Sequence, residues 1–457
     1  MTDYRELFRP RFHFTAERNW LNDPNGLVWH DGEYHLFFQY NAVGLTWGPN
    51  SWGHAVSSDL VHWRQLPDAL DPDEQFGWIW SGSAVFDRHN TSGLGVDGKP
   101  PLVAMYTTGS PPRGLPVVQC IASSTDRGRT WTKFPGNPVI PFIEGENRDP
   151  KVIWHTATKQ WMMSVYLARN DFALFSSPDL KQWKGLNTVQ VDRCTECPDL
   201  FELPIDGDAK RTAWVLWTAD GGYRLGTLDA TGFHPTSPTL FSEFGANGYA
   251  AQTWVDAPDG RCLQISWMRG GRYPSMAFNQ QMSFPLELSL RTFPEGVRLC
   301  RVPAREIASL HGRAQTWAKH RLIPGAPLQA VSQVGQTPGE GVWDLTLTVE
   351  PRSGEAIVCR IHGHDMRYRP GAGVLSFLGR DLPVPLQEGR CTLRVLIDRT
   401  SVEIIARDGA VVGSFCYLPE ACNAPLEVSA HGGEMTIDLD VREMRSARES
   451  TSNASAR

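Results

Sequence analysis

The segment Ser58-Asp59-Leu60-Val61-His62-Trp63 decides the fold, because two further stretches of the chain resemble it. Ser177-Pro178-Asp179-Leu180-Lys181-Gln182-Trp183 is a close copy, and Ser124-Thr125-Asp126-Arg127-Gly128-Arg129-Thr130-Trp131 is a looser one. Irregular repeats of this kind, separated by short strands, are typical of β-propeller blades, each of which is a small antiparallel sheet. We interpret the repeated tryptophans as core residues between blades, not as ligands.

The sequence around the repeat predicts strands almost throughout. Residues 33–40, 102–106 and 213–217 are short, rich in aromatic and branched side chains, and bounded by turn formers. The 42 glycines and 33 prolines interrupt almost any long helix. We therefore predict an all-β chain with a propeller over residues 1–300.

The pattern changes after residue 300. Residues 301–320 are polar with some helical potential, and we predict a linker or a short helix there. Alternating strands resume, for example at residues 343–349 and 391–397, and predict an antiparallel β-sandwich over residues 321–446. Residues 447–457 are small and polar, and we expect a disordered tail.

Composition excludes several classes of partner. The net charge of -6 over 457 residues disfavours nucleic acid and anionic membranes. No apolar run approaches the ~20 residues that cross a bilayer. The first six residues include the charged Asp3, Arg5 and Glu6, where a secretory signal would be apolar. We expect a cytoplasmic protein, or a secreted or periplasmic one if a leader has been removed.

The cysteines do not predict a metal site. Cys194-Thr195-Glu196-Cys197 has C-x-x-C spacing, but the remaining cysteines supply no second pair for a four-cysteine zinc site. A thioredoxin-type motif would need a βαβ context, which the strand pattern does not offer. We predict neither a metal nor another cofactor.

Three motifs place a carboxylate beside or close to a proline, just before an apolar run. They are Trp20-Leu21-Asn22-Asp23-Pro24-Asn25-Gly26, Asn147-Arg148-Asp149-Pro150 and Thr195-Glu196-Cys197-Pro198-Asp199. Each alone is explained equally well by a turn that Asp and Pro open. Together they predict desolvated, rigidly held carboxylates at the heads of different blades, which suits acid/base or nucleophilic chemistry at a sugar.

Aromatic residues accompany these carboxylates in the first part of the chain. Trp47 and Trp80 lie beside Gly and Ser in predicted loops, together with the amides of Asn22 and Gln39 and the hydroxyl of Ser81. An indole face covers the apolar side of a sugar ring, while amides and hydroxyls bond to its oxygens. The alternative, that tryptophans fill the core, fits Trp29 and Trp63 better.

With these motifs the chain resembles glycoside hydrolase family 32, the family of invertases, exo-inulinases and levanases. Besides the three carboxylate motifs, the resemblance is carried by Phe38-Gln39-Tyr40, by residues 47–55 and 80–84, by Tyr249-Ala250-Ala251-Gln252-Thr253-Trp254 and by residues 397–403. Two positions depart from the family pattern. Asn147 stands where an aromatic residue is usual, and Trp80 stands where Phe is usual.

The resemblance implies a five-bladed propeller followed by a β-sandwich. It makes Asp23 the nucleophile, Glu196 the general acid/base, and Asp149 a carboxylate that binds ring hydroxyls and stabilises the transition state. Arg148 is expected to hold hydroxyls of the same fructose unit. No cofactor is implied.

The expected function is that of a retaining exo-β-fructosidase, which removes terminal fructose from fructans or sucrose. Its partners would be a fructose-containing saccharide, with no nucleic acid and no membrane. A fructosyltransferase would use the same residues. A non-catalytic fructan-binding lectin would be expected to lack one of the three carboxylates, all of which are present.

Overall fold

The structure, a computed structural model, describes residue 4 and residues 6–110, 113–331, 341–419 and 426–448. Almost all regular structure in these residues is strand. The named helices are 3-10 turns, at Pro258–Gly260, Arg305–Leu310, Pro370–Ala372 and Arg407–Gly409. No helix of the described residues is long and apolar enough to cross a membrane.

Five antiparallel blades form the first part of the chain, which confirms the predicted propeller. Blade 1 contains β1 Asn19–His30, β2 Glu33–Asn41, β3 Ser51–Ser57 and β4 Arg64–Leu70. Blade 2 contains β5 Trp78–Phe86, β6 Leu102–Ser110, β7 Leu115–Ser124 and β8 Thr132–Lys133. Blade 3 contains β9 Arg148–His155, β10 Gln160–Ala168, β11 Asp171–Ser177 and β12 Lys184–Gln190.

Blades 4 and 5 complete the ring. Blade 4 contains β13 Asp199–Ile205, β14 Asp208–Trp217, β15 Gly222–Asp229 and β16 Gly232–Pro235, and β17 Leu240–Phe241 pairs with β15. Blade 5 contains β18 Gly248–Thr253, β19 Leu263–Met268, β21 Leu286–Phe293 and β22 Gly296–Pro303. The short β20, Phe278–Asn279, pairs in parallel with β1 and so ties the last blade to the first.

The first strands of the blades line the centre of the propeller. These strands, β1, β5, β9, β13 and β18, contact one another in sequence around a closed ring. They run in the same direction, so their first residues meet at one end of the ring, which we call the upper end. The loops after the second strands return to this end because those strands are antiparallel to the first.

The repeated motif that predicted the propeller is a turn between the third and fourth strands of blades 1 to 3. The indole nitrogens of Trp63, Trp131 and Trp183 donate to the carbonyls three residues earlier, at 3.0, 3.1 and 3.0 Å. The aspartate four or five residues before each tryptophan accepts backbone N–H groups of the turn. All three tryptophans pack partly buried against the core of the propeller, as expected.

The second part of the chain is the predicted antiparallel sandwich. One sheet contains β23 His311–Leu322, β34 Met435–Met444, β25 Trp343–Pro351, β30 Cys391–Ile397, β31 Ser401–Ala406 and β32 Val411–Cys416. The other contains β24 Leu328–Val331, β33 Leu426–His431, β26 Ala356–Ile361, β27 His364–Arg369, β28 Val374–Phe377 and β29 Arg380–Pro383. One apolar cluster fills the space between the two sheets.

The predicted linker over residues 301–320 is wrong for most of its length. Its first residues belong to β22, and from His311 onward the chain is β23, an edge strand of the sandwich paired with β34. Only the 3-10 helix Arg305–Leu310 matches the expectation of a short helix. The side chains of β23 are mostly exposed, which gives the strand its polar sequence.

The prediction of a disordered tail is wrong for its first two residues, Ala447 and Arg448, which are ordered. Ala447 donates its N–H to the carbonyl of Arg11. Arg448 donates to the carbonyl of His13 and to Oγ1 of Thr15, both at 2.9 Å. These contacts anchor both residues against the chain before β1, and residues 449–457 lie outside the described residues.

Buried polar contacts fix the sandwich to the propeller. His13 lies between two sandwich carboxylates, with Nδ1 2.8 Å from Oδ2 of Asp398 and Nε2 2.6 Å from Oε2 of Glu403. Burial lowers the pKa of His13, but the two carboxylates outweigh burial and raise it to about 9. A second contact uses Glu243, whose Oε1 accepts the N–H of Ser414 on β32 at 2.7 Å. The two domains are therefore held in one fixed arrangement.

Candidate active site

Strand pairing is irregular at the upper end of the propeller, where the side chains of the Asp23 and Asp149 motifs lie. The ladder between β1 and β2 shifts register between Leu21 and Pro24, and the ladder between β9 and β10 shifts where Asp149 and Pro150 lie. Proline cannot donate a ladder hydrogen bond, so the motifs predicted from sequence break the ladder locally. A β-bulge turns the side chains beside it in new directions and is common next to active sites.

Asp23 is held by two side chains from neighbouring strands. Its Oδ2 accepts a 2.6 Å hydrogen bond from Oγ of Ser81 and a 3.1 Å bond from Nε2 of Gln39. Asn50 donates to Oε1 of Gln39 at 2.8 Å and so fixes that amide. Burial raises the pKa of Asp23, the Ser81 bond opposes this, and the charge of Glu196 adds to it. Asp23 is therefore an oriented, largely desolvated carboxylate.

Asp149 lies at the head of the third blade, in contact with the fourth. Its Oδ2 accepts the backbone N–H of Cys197 at 3.1 Å and lies 3.6 Å from Nε of Arg148. Burial raises the pKa of Asp149 to about 7; Arg148 opposes this shift, and Asp23 and Glu196 add to it. The carboxyl is oriented but costly to ionise in the absence of a ligand.

Glu196 lies between a cation and a phenol. Its Oε1 accepts from Nη2 of Arg148 at 2.7 Å, and its Oε2 accepts from the hydroxyl of Tyr249 at 2.8 Å. Its side chain is 30% exposed, against 5% for Asp149. Arg148 also pairs with Glu146, which orients the guanidinium further. Of the three carboxylates, Glu196 is thus the one with the most open approach.

The thiol of Cys197 shows directly that the motifs converge. Its Sγ lies 3.7 Å from Oδ2 of Asp23 and 3.5 Å from Oδ2 of Asp149. The thiol of Cys194, by contrast, packs in the apolar cluster that blades 3 and 4 share. The two cysteines of the C-x-x-C motif therefore have different surroundings. In the described part of the chain, no group of three or more His, Cys, Asp or Glu side chains is arranged to hold a metal ion.

The backbone at these motifs is strained. Asp149, Glu196 and Cys197 have φ values of 65°, 55° and 41°, in the left-handed region that residues other than glycine rarely adopt. Each such residue costs about 1–3 kcal/mol and persists where the surroundings fix it. Left-handed residues also occur at ordinary turns of this chain, such as those at Asp31 and Leu60, so what distinguishes these three is that they lie together at one centre.

The remaining predicted binding residues surround this centre at different depths. Asn22 accepts a 2.9 Å bond from the indole of Trp20. Trp80 is only 9% exposed, and its backbone carbonyl accepts from the indole of Trp52. Trp47 is 51% exposed and packs edge-on against Trp78, with the ring centroids 5.4 Å apart. Their roles toward a sugar stay predictions.

Two residues that contact the carboxylates, Tyr249 and Cys197, were not predicted as site residues. Tyr249 is near the head of β18, the first strand of blade 5, and the ladder between β18 and β19 shifts register just after it. Tyr249 shows the same sequence signal as the carboxylates, which is a polar side chain near the head of a first strand. The thiol of Cys197 faces the carboxylates because of its left-handed backbone, for which the sequence gives no sign.

The chain is similar to known proteins over most of its length. The profile of the glycosyl hydrolases family 32 N-terminal domain matches residues 13–303. The levanase of Bacillus subtilis (strain 168) is 38% identical over 97% of this chain and 71% of its own length. The extracellular exo-inulinase of Aspergillus ficuum is 32% identical over 97% of this chain and 96% of its own length.

A solved structure extends the likeness to the whole fold. The crystal structure of exo-inulinase from Aspergillus awamori superposes with a TM-score of 0.87 and 29% sequence identity, covering 97% of this chain and 100% of that one. The profile match spans the propeller that carries the three carboxylates, and the relatives span the sandwich as well. The protein therefore belongs to glycosyl hydrolase family 32, the β-fructosidase family of glycoside hydrolases.

Proposed function

We propose that the protein is a retaining exo-β-fructosidase that hydrolyses terminal non-reducing β-D-fructofuranosides in fructans, sucrose or both. The observation that carries this proposal is the different surroundings of two carboxylates at one centre. Asp23 is buried and oriented by Ser81 and Gln39, as a nucleophile must be. Glu196 is more open and lies between Arg148 and Tyr249, as a group that exchanges protons with a leaving group and water must be.

The reaction proceeds in two steps. First, a carboxylate oxygen of Asp23 attacks the anomeric carbon of fructose, and the bond to the leaving oxygen breaks as Glu196 transfers its proton to that oxygen. Second, Glu196 takes a proton from water, whose oxygen attacks the anomeric carbon and releases Asp23 and fructose. Arg148 and Asp149 bind hydroxyls of the fructose unit in both steps.

Action at the chain end is the finer part of the proposal. Trp47 lies in the loop that also carries Asn50, at the upper end of blade 1, and packs against Trp78 at the start of blade 2. Bulky groups there favour a pocket over an open groove. The relatives named as exo-inulinases support the same mode of attack. An internal fructose unit would need space on both sides of Asp23.

Product analysis tests the proposal. The protein is incubated with sucrose, inulin and levan, with Asp23→Asn as the matched control, and products are resolved by chromatography and by polymer size. We expect free fructose from the first minutes with little early fall in polymer size. Oligosaccharides that appear before fructose would contradict exo-action. Kestose-type products from sucrose in place of fructose would identify a fructosyltransferase, and binding without any product would identify a lectin.

A further inference from the structure

The propeller has a pocket at the end opposite the catalytic centre, which we call the lower end. It is walled by the last residues of the first strands of blades 2, 3 and 5 and by the connections that follow them. Blades 3 and 5 are not neighbours in the ring, so a pocket that both of them line lies on the propeller axis. Its volume is about 420 Å³, within the range of about 300–1,000 Å³ that small-ligand sites occupy.

The propeller channel is closed between this pocket and the catalytic centre. Lys151 of β9 donates to the carbonyl of Thr253 at 2.6 Å and lies 3.1 Å from Oδ1 of Asp199. All three residues are buried. Along β9, Lys151 lies between Asp149 and Trp154, which are roughly 16 Å apart at ~3.3 Å per residue. The lower pocket is therefore a separate site and not the floor of the catalytic pocket.

Trp154 gives the lower pocket an aromatic surface with an unused donor. Its ring is partly exposed and packs edge-on against Trp161, with the ring centroids 5.0 Å apart. The indole nitrogen of Trp161 donates to Oγ1 of Thr91 at 2.8 Å. Among the residues that the structure describes, Nε1 of Trp154 has no such acceptor. An indole face covers the apolar side of a sugar ring, and its N–H donates to a hydroxyl.

The walls of the lower pocket are fixed by hydrogen bonds. Asp87 is buried and accepts the N–H and the hydroxyl of Thr91 at 2.9 and 3.0 Å, which folds the connection after β5. Val255 accepts the N–H of Trp29 at 2.9 Å and donates to the carbonyl of Leu27 at 3.0 Å, which ties the connection after β18 to β1. A ligand would meet an ordered surface and would pay little to arrange it.

The charged groups of the lower pocket favour a neutral ligand rich in hydroxyls. The ionisable groups of its lining are Asp87, Arg88, His89 and Asp256. Both oxygens of Asp87 accept hydrogen bonds from the connection after β5. Nη2 of Arg88 lies 3.1 Å from Oδ2 of Asp256. An ion would compete with this pair, whereas hydroxyls can bond to the other N–H donors of Arg88 and to the imidazole of His89.

We propose that the lower pocket is a second saccharide site, which holds internal units of a fructan chain. The identity of the sugar rests on the proposed β-fructosidase function, because fructan is the polymer on which that function acts. A polymer held at the lower end keeps its chain ends close to the protein and raises their effective concentration at the catalytic centre. Sucrose is too short to reach both sites, so the lower pocket assists only the polymer.

Hydrogen exchange of the backbone amides locates the site without turnover. The Asp23→Asn protein is mixed with saturating inulin-type or levan-type oligosaccharides, and exchange is followed by peptide. Peptides that cover residues 86–92 and 154–158 should exchange more slowly, together with peptides of the catalytic centre. Protection of the catalytic centre with no change in the two lower peptides would overturn the inference.

Variants identify the side chains that bind. In affinity electrophoresis through gels that contain inulin or levan, Trp154→Leu and Arg88→Ala, each added to the Asp23→Asn parent, should bind the polymer about three- to tenfold more weakly than the parent. Trp154→Phe keeps a ring and should recover most of this loss. The matched control is Arg321→Ala, because Arg321 forms an exposed ion pair with Glu434 on the sandwich. It should be retarded like the parent, and thermal melting checks that each variant is folded.

The outcomes separate this inference from the proposed function. If Trp154→Leu and Arg88→Ala are retarded as strongly as the parent, or Arg321→Ala loses as much binding as they do, the inference fails, while fructose release by the wild-type protein leaves the proposed function intact. If the wild-type protein releases no fructose from any substrate and neither polymer retards the parent, both fail together.

Discussion

The hydroxyl of Tyr249 donates a 2.8 Å hydrogen bond to Oε2 of Glu196. Tyr249 lies in the first strand of blade 5, and Glu196 lies just before the first strand of blade 4. The proposed acid/base is therefore positioned by a neighbouring blade as well as by Arg148 of blade 3. The orientation of Glu196 therefore depends on the relative positions of blades 3, 4 and 5.

Removal of this hydroxyl should slow the reaction without unfolding the protein. In Tyr249→Phe we expect kcat/KM for sucrose to fall about tenfold, because a hydrogen bond to a charged or proton-transferring group is lost. Tyr34→Phe, in the core of blade 1 away from the carboxylates, is the matched control. Steady-state kinetics with equal loss in both variants would show that Tyr249 acts only in folding.

Substitution of the proposed nucleophile should nearly abolish turnover. In Asp23→Asn, kcat should fall by on the order of a thousandfold or more, because a neutral amide cannot form the fructosyl ester. Asp31→Asn, at an exposed turn with a side chain 64% accessible, is the control. Circular dichroism checks the fold, and near-normal turnover in a folded Asp23→Asn protein would remove Asp23 from this role.

Loss of the acid/base should depend on the leaving group. Glu196→Ala should lose most activity on sucrose, whose leaving oxygen needs a proton, and much less on a fructoside with an activated leaving group. Parallel kinetics on the two substrates measure the difference. If both rates fell by the same factor, a different residue would supply the proton.

The ionised carboxylate of Asp149 should lower the free energy of unfolding at neutral pH. Its pKa is about 7 in the folded state against an ordinary 3.8, so the folded protein binds more protons than the unfolded chain between these values. Stability is therefore lost as the pH rises from about 4 to 7, and the loss is complete above 7. Asp149→Asn should raise the free energy of unfolding by about 1–3 kcal/mol at pH 8 and change it little near pH 4.

Denaturant melts at the two pH values measure this difference, and activity assays on the same samples should show severe loss. A stability change of equal size at pH 4 and pH 8 would mean that packing, and not ionisation, governs the site. A functional carboxylate that costs stability is a common price of a preorganised active site.

Much of the fold and the site could be predicted from short motifs whose residues are neighbours in the sequence. The repeat ending in Trp63, Trp131 and Trp183 forms the same turn in three blades, and the prolines after Asp23 and Asp149 break the strand ladders where the sequence placed them. These signals depend on neighbours in the sequence. They could be identified without knowledge of the tertiary structure.

The rest depends on tertiary contacts that sequence patterns do not record. The sequence of β23 predicts a linker because an edge strand exposes most of its side chains and shows little alternation. The approach of Cys197 to Asp23 and Asp149 follows from a left-handed backbone. Neither of these features has a local signature.

The most direct test of the central claim is to detect the covalent intermediate on Asp23. The Glu196→Ala protein is mixed with fructosyl fluoride, whose leaving group needs no general acid, and is quenched and examined by intact mass and peptide mapping. Because the second step lacks its base, the fructosyl ester should accumulate. We predict one added fructosyl group, on the peptide that contains Asp23. An adduct on another residue, or rapid turnover with no adduct and with inverted stereochemistry in a methanol-trapped product, would contradict the account.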